Sequence, residues 1–314
     1  MSLKDLNIAC IGLGQMGVGI AQNVQASGCQ FVVCNRTPEK MQPFVAAGAK
    51  SARSPREAAS SADIVITSLM DDQSVFDTLL GEHGMLAGMR AGAIHIGTST
   101  ISPGCSTRCA ELHSAQGSRY LAAPVAGRPN AAAAGKLFTF VAGETEAIER
   151  ARPVLASYTQ SIIELGPDPA AAASLKLAVN FFAASLLEAL GQAFAFAEKR
   201  GVLAPMSGMM KGFLPPMEEY IDRIANRRYT EPGFTLNAGL KDVGLMLSAA
   251  AEVRVPLPIA SLIRDKCLAA QAHGLSDQDW CAFTEMARLE AGQPALAMAQ
   301  SSSTAPDFAH AAPG

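Results

Sequence analysis

Lys176 and Asn180 stand four residues apart in a stretch, Ala170 to about Lys199, whose clearly polar interruptions are Lys176, Asn180, Ser185, Glu188 and Gln192. On an α-helix this spacing puts the amine and the amide on one face. Taking an ammonium out of water costs several kcal/mol unless it is paired or holds its proton less tightly. Lys176 is therefore partnered, or a proton carrier with a lowered pKa, or an amine that lays its stem on apolar surface and reaches water with its head.

A second constellation lies near the N-terminus. Gly12, Gly14 and Gly17 in Gly-Leu-Gly-Gln-Met-Gly follow the apolar run Ile8 to Ile11, and a second apolar run, Val32-Val33-Cys34, ends in Asn35-Arg36-Thr37. Strand, glycine turn, helix and strand in this order form a dinucleotide-binding unit. Gly12 permits the tight turn, Gly14 lets backbone approach a pyrophosphate, and Gly17 lets the helix pack on the strand. Leu13, Gln15 and Met16 complete the loop and are expected beside the cofactor. NAD-binding units place an acid about 18 residues after the last glycine to hold the ribose 2′-hydroxyl. This chain has Asn35-Arg36-Thr37 there, and a guanidinium flanked by amide and hydroxyl groups suits a 2′-phosphate. NADP(H) is expected over NAD(H), with a merely solvated Arg36 as the alternative.

The elements that must position these residues follow from the pattern. At 314 residues, 49% hydrophobic and 17% charged, the chain has material for two domains with substantial cores. Ala62 to Met70 and Ala93 to Thr98 are further strand candidates separated by helical patterns, so β and α alternate. Such alternation predicts an α/β fold, a mostly parallel sheet covered on both faces. Ligands of such sheets sit beyond the C-terminal strand ends, which puts Leu69, Met70 and Thr98-Ser99-Thr100 beside the cofactor. Tyr120 to Val125 and Leu137 to Val141 are expected to close the sheet. Gly166-Pro167-Asp168-Pro169 reads as a boundary between a Rossmann domain, 1–166, and an all-helical domain, 167–292. Residues 293–314 lose periodicity and read as a mobile tail. Helices are expected over about 170–199, 203–225, 235–252, 257–273 and 277–291. The first is apolar nearly all round and calls for burial inside the helical domain and against a second subunit, hence a homo-oligomer. Phe181, Phe182, Phe194 and Phe196 fit such packing.

Charge and side-chain inventory exclude several classes. A net charge of −3 offers nucleic acid or anionic lipid no general basic surface. Seven cysteines without a C-x-x-C pair read as reduced, mostly buried residues, and no metal site is expected. His83, His95, His113 and His273 show no ligand or triad spacing and read as helix-surface or loop residues. Ser99 to Ser102 lack a nucleophile elbow, and their hydroxyls are expected on the cofactor side. Arg223, Arg227 and Arg228 read as a solvated face, with a role in the cleft left open. The first strand starts within a few residues of the N-terminus and no uninterrupted apolar run reaches spanning length, so a cytoplasmic location is expected.

Gly-Leu-Gly-Gln-Met-Gly with Asn-Arg-Thr, Thr98 to Pro103, Ala123-Pro-Val-Ala-Gly127 with Ala134-Gly135, Ser174 to Asn180 and Leu240-Lys-Asp-Val-Gly244 together resemble the β-hydroxyacid dehydrogenase family, in that family's order across about 290 residues. The resemblance implies a Rossmann domain joined by a long helix to an all-α domain, with a small carbonyl or hydroxyacid substrate in the cleft between them. It implies Lys176 as catalytic lysine and Asn180 as substrate-orienting amide, with Thr100 and Lys241 near the nicotinamide. Two departures matter. The family usually reads Asp-Ala-Pro-Val-Ser-Gly-Gly where this chain has Ala122-Ala-Pro-Val-Ala-Gly-Arg128, losing a serine and a glycine that grip a substrate carboxylate. Ala126, Gly127 and Arg128 occupy that substrate position, with Arg128 either a replacement clamp or a loop cap. Pro169, Ala170 and Ala172 replace the glycines that usually precede the lysine, which stiffens the loop. The expected activity is NADPH-dependent hydride transfer to a small carbonyl compound. An imine reductase and a catalytically silent NADP(H)-binding protein are the alternatives, and the retained Lys176, Asn180 and Lys241 weigh against both.

Overall fold

The computed structural model describes residues 3–295, and from residue 296 onward the expected tail lies outside the described residues. Six parallel strands form the main sheet: β1 Asn7–Ile11, β2 Gln30–Cys34, β3 Lys50–Ser51, β4 Ile64–Thr67, β5 Ile94–Gly97 and β6 Arg119–Ala122. Their spatial order is β3-β2-β1-β4-β5-β6. Successive side chains of β1 go to opposite faces: Ile8 and Cys10 enter one apolar core with Ile20, Val33 and Ile66, while Ala9 and Ile11 enter another with Val65 and Leu79. Burial on both faces is what turns these strands into continuous apolar runs. Strand order reverses between β1 and β4, which opens a crevice beyond their carboxyl ends.

Leu137–Val141 does not close this sheet. It is β8 of a separate three-stranded sheet, antiparallel to β7 Val125–Ala126 and parallel to β9 Thr159–Glu164. Pro124 follows β6 and has no N–H for a ladder, so the chain turns there and its carbonyl accepts from the Phe140 N–H instead. Ala122 and Ala142 exchange backbone hydrogen bonds and join the two sheets by a lone bridge. The half-exposed β9, Thr-Gln-Ser-Ile-Ile-Glu, lacks the apolar run that marks the buried strands.

The helix Pro169–Lys199 begins with Pro169 at its first position, where a missing N–H costs nothing, and with Asp168 accepting from the Ala170 N–H at 2.9 Å. Its first turns, through Ala172, Leu175 and Val179, pack on the sheet domain. From Ala183 and Ala184 to Phe194 it belongs to the core of the helical domain, with Ile224, Val243, Ile263 and Phe283. Lys176 and Asn180 therefore sit at the seam where one helix passes between two cores. This helix is long and apolar enough by length and composition to cross a bilayer, although Lys176 and Asn180 interrupt its apolar run. Part of its apolar surface serves these two cores, while Phe182 and Phe196 stay exposed.

Leu236–Glu252 and Pro258–Ala272 form helices as expected. The expected helix over 203–225 is broken: Pro215 and Pro216 end Leu203–Phe213 and force a 3-10 turn before Glu218–Ala225. Over 277–291 a 3-10 segment, Trp280–Thr284, precedes a short α-helix, Glu285–Glu290.

Candidate active site

The glycine loop leaves β1 beside β4. Gly12 has φ +95°, and a Cβ there would lie 2.3 Å from the Ser68 carbonyl oxygen. Gly17 is as constrained, since a Cβ would meet the Gly12 carbonyl oxygen at 2.1 Å, whereas Gly14 faces open space. Gly14 is also the N-cap of the helix Gln15–Ala26, with no side chain accepting from its first N–H groups. Elsewhere Ser54, Asp71, Ser102, Asp168 and Thr235 fill that role with side-chain oxygens. Unsatisfied N–H groups, the positive end of the helix dipole and vacant space at Gly14 fit a pyrophosphate. The Leu13 side chain is fully buried in the core, so only its backbone belongs to the loop.

At the end of β2, Arg36 and Thr37 are exposed, and among the described residues the Arg36 guanidinium has no ion pair. Asn35 does other work. Its Oδ1 accepts from the Leu13 N–H at 2.8 Å and its Nδ2 donates to the Thr37 carbonyl at 3.0 Å. The amide ties β2 to the glycine loop and leaves Arg36 exposed beside it.

Across the crevice a polar chain runs through the seam. Lys176 Nζ donates to Asn180 Oδ1 at 2.8 Å, and Asn180 Nδ2 donates to Asp242 Oδ2 at 2.8 Å. Asp242 Oδ1 lies 2.7 Å from Lys241 Nζ, which also donates to the carbonyls of Met70 at 2.9 Å and Thr100 at 2.8 Å. Asp242, 1% exposed, only accepts, so the Asn180 amide must turn its NH2 to the acid and its oxygen to the lysine. Lys176 is 8% exposed, and loss of hydration pushes its pKa down to about 8; the Asp242 charge opposes that shift and the Lys241 charge adds to it. An amine poised near neutrality, hydrogen-bonded at one side, is suited to give or take a proton.

Two family models cover most of the chain: the NAD-binding domain of 6-phosphogluconate dehydrogenase matches residues 7–166 and the NAD-binding region of NADP-dependent 3-hydroxyisobutyrate dehydrogenase matches 170–287. An uncharacterized oxidoreductase of Bacillus subtilis is 41% identical over 282 residues, spanning 88% of this chain and 98% of that protein. The chain belongs to the β-hydroxyacid dehydrogenase family. A 3-sulfolactaldehyde reductase of Escherichia coli is 32% identical over 92% of this chain and 98% of its own length. The crystal structure of a 3-hydroxyisobutyrate dehydrogenase from Salmonella typhimurium superposes with a TM-score of 0.82 at 26% identity, covering 90% of this chain and all of that one. As a family member the protein is an NAD(P)-dependent oxidoreductase with a Rossmann domain followed by a helical domain.

Of the three residues expected at the substrate, Ala126 presents a methyl group, and Gly127 takes φ +141° with no room for a Cβ beside Leu137. Arg128, expected as a carboxylate clamp or a loop cap, is turned to the helical domain, where Nη2 meets Asp279 at 2.8 Å and Nε meets Glu219 at 3.0 Å. Gln15, expected beside the cofactor, reaches across as well, donating from Nε2 to the Pro232 carbonyl at 2.7 Å.

Three further findings escaped the sequence. Asp242 lies next to Lys241 in the same motif, and an acid in the middle of the largely apolar helix Leu236–Glu252 was the signal that it has an internal partner. His95 and His113 are not surface residues. They form a buried chain in which Thr67 Oγ1 and His95 Nε2 are 2.8 Å apart, His95 Nδ1 and His113 Nε2 2.9 Å, and His113 Nδ1 and Ser118 Oγ 2.8 Å. Spacing missed the pair because β5 and the following helix Pro103–Gln116 bring it together. The hydroxyls at 98–102 also turn inward: Thr98 donates to the Thr67 carbonyl, Ser99 accepts from the Leu69 N–H, and Ser102 caps its helix and donates to Asp72. They shape the strand ends, and of the hydroxyls expected on the cofactor side those of Ser99 and Ser102 bond within the chain.

Proposed function

We propose that the protein is an NADPH-dependent reductase of a small carbonyl compound, of the β-hydroxyacid or semialdehyde type, with Lys176 as general acid and base. The observation that carries this reading is the Lys176–Asn180–Asp242–Lys241 chain, which sets an amine of near-neutral pKa at the seam between the two domains. Gly12, Gly14, Gly17 and the backbone of Leu13, Gln15 and Met16 would hold the pyrophosphate, Arg36 and Thr37 the 2′-phosphate, and Leu69, Met70 and Thr100 the nicotinamide side. When bound, the cofactor supplies the hydride.

The chain's own residues supply the rest. As negative charge grows on the substrate oxygen, protonated Lys176 stabilises it by hydrogen bonding and then protonates it. In the oxidative direction, neutral Lys176 removes the hydroxyl proton. Asn180 has its oxygen on Lys176 and one N–H on Asp242, so it serves first to hold the amine in place. Lys241 ties the helical domain to the ends of β4 and β5, which keeps Lys176 at a fixed distance from the nicotinamide side.

Self-association belongs to the same reading. Phe182, Phe196 and Phe213 are each about two-thirds exposed on the helical domain, which suits a homo-oligomer formed through that face in the cytoplasm. We place the domain boundary between 166 and 167.

Following reduced nicotinamide by absorbance with semialdehydes, glyoxylate, simple ketones and cyclic imines tests the assignment. An aldehyde or ketone is expected to be reduced, with NADPH preferred to NADH. Turnover confined to cyclic imines would replace this reading with an imine reductase, and no turnover with intact NADPH binding would leave a silent cofactor-binding protein.

A further inference from the structure

The Arg128 guanidinium is already spent. Besides its ion pairs with Asp279 and Glu219 it lies 4.5 Å above the Tyr220 ring, and its side chain is only 12% exposed. Asp279 is wholly buried; its Oδ2 also accepts from the Gly233 N–H at 3.2 Å and its Oδ1 from the Cys281 N–H at 3.3 Å. Gly233 is closed around the pair, since a Cβ there would lie 2.7 Å from Arg128 Nη2. Nη1 has no partner but is sealed from solvent, so a ligand reaches it only by opening this latch.

The other cations of the seam are committed too. Lys241 holds two carbonyls and Asp242, and Lys176 holds Asn180. Arg128 thus faces Asp279 and Glu219, the latter shared with Arg223, Lys241 faces Asp242, and Lys176 is held by a neutral amide. A substrate carboxylate entering here finds Arg128 and Lys241 already paired and competes for Lys176, the proton donor, whereas an uncharged carbonyl compound needs only the proton on Lys176.

We propose that Arg128 is a specificity-determining residue that acts by being occupied: latched to Asp279 and Glu219, it leaves the site without a carboxylate anchor, so the site selects carbonyl compounds that carry no acid group. This rests on the reductase reading above and, among small carbonyl compounds, puts uncharged aldehydes and ketones in place of the acid-bearing type.

The test compares two aldehydes of similar length with NADPH, pentanal and succinic semialdehyde. The wild type is expected to show kcat/KM about tenfold or more in favour of pentanal. Glu219→Gln, at a half-exposed position that tolerates change, is expected to lower KM for the semialdehyde severalfold without a matching change for pentanal, and Asp279→Asn to do so more strongly. A second readout does not depend on turnover. Trp280, the one tryptophan in the chain, donates from Nε1 to the Tyr220 hydroxyl at 3.0 Å and so touches the ring beneath Arg128. Titrating succinate into the wild type, with and without NADP⁺, is expected to leave Trp280 emission without a saturable change. A tenfold preference for the semialdehyde, or a saturable succinate response abolished by Arg128→Ala, would overturn the proposal and make Arg128 a clamp. Failure to reduce any aldehyde would remove the reductase reading, while the succinate titration would still decide whether the latch binds acids.

Discussion

Two buried polar chains of four side chains each differ sharply in their setting. One joins Lys176, Asn180, Asp242 and Lys241 at the seam; the other joins Thr67, His95, His113 and Ser118 inside the sheet domain. In both, burial lowers the pKa of a base, Lys176 to about 8, His113 to about 4 and His95 well below its usual value. The difference is where each chain ends. The histidine chain starts and finishes on hydroxyls within one core, so its protons have nowhere to go. The lysine chain runs between two domains, at the crevice beyond β1 and β4, and is anchored by an acid that holds a proton on the amine. A depressed pKa marks a site only when the group also faces a place where a ligand fits.

The largest effect that separates the two chains is expected at Lys176. Lys176→Ala should cut turnover by about two to four orders of magnitude while cofactor affinity, measured by titration, stays near wild type. His95→Leu should do the reverse. It strands polar atoms of Thr67 and His113, so chemical denaturation should report a loss of about 2 kcal/mol, with turnover per folded molecule largely kept. If His95→Leu instead abolished turnover in a stable protein, the division between the chains would be wrong.

The same division has an acid–base signature. His95 and His113 have folded pKa values below the ordinary 6.5, so the unfolded chain binds more protons and stability should fall as pH drops from about 6.5 toward 4. Lys176 must be charged to donate, so reduction should be flat below pH about 8 and decline above it, while oxidation rises through the same range. Asp242→Asn removes the charge that holds this pKa up, and the limb of the rate profile should move to lower pH by about one unit. A limb that stays in place would assign Asp242 to structure alone. The smallest effect is expected at the cofactor's far end, where Arg36→Ala should weaken NADPH about tenfold and leave NADH unchanged, as measured by titration. Equal loss for both cofactors would reject the 2′-phosphate contact.

Local chemistry made much of this legible in advance. Gly12 and Gly17 are glycines because backbone oxygens lie where a Cβ would go, and the strand and helix periods around them are set by neighbours in sequence. Lys176 and Asn180 met because one helical turn separates them. Leu137–Val141 was read correctly as a strand but assigned to the wrong sheet, since Pro124 redirects the chain by geometry that no periodicity records. Asn180 was expected to orient substrate, and its hydrogen bond to Asp242, 62 residues on, left no trace in the sequence pattern.

The alternation of strands and helices, the glycine turn and the apolar helix that carries a lysine were set by residues a few positions apart, because rise per residue and side-chain period are local properties. Which charge meets which was decided only by the packed molecule. Arg128 finds Asp279 across 151 residues, His95 finds His113 through a strand and a helix, and Lys176 receives the field of Asp242 from a different helix. Electrostatic and hydrogen-bond partners act through space over a few ångströms, and the fold alone sets those distances.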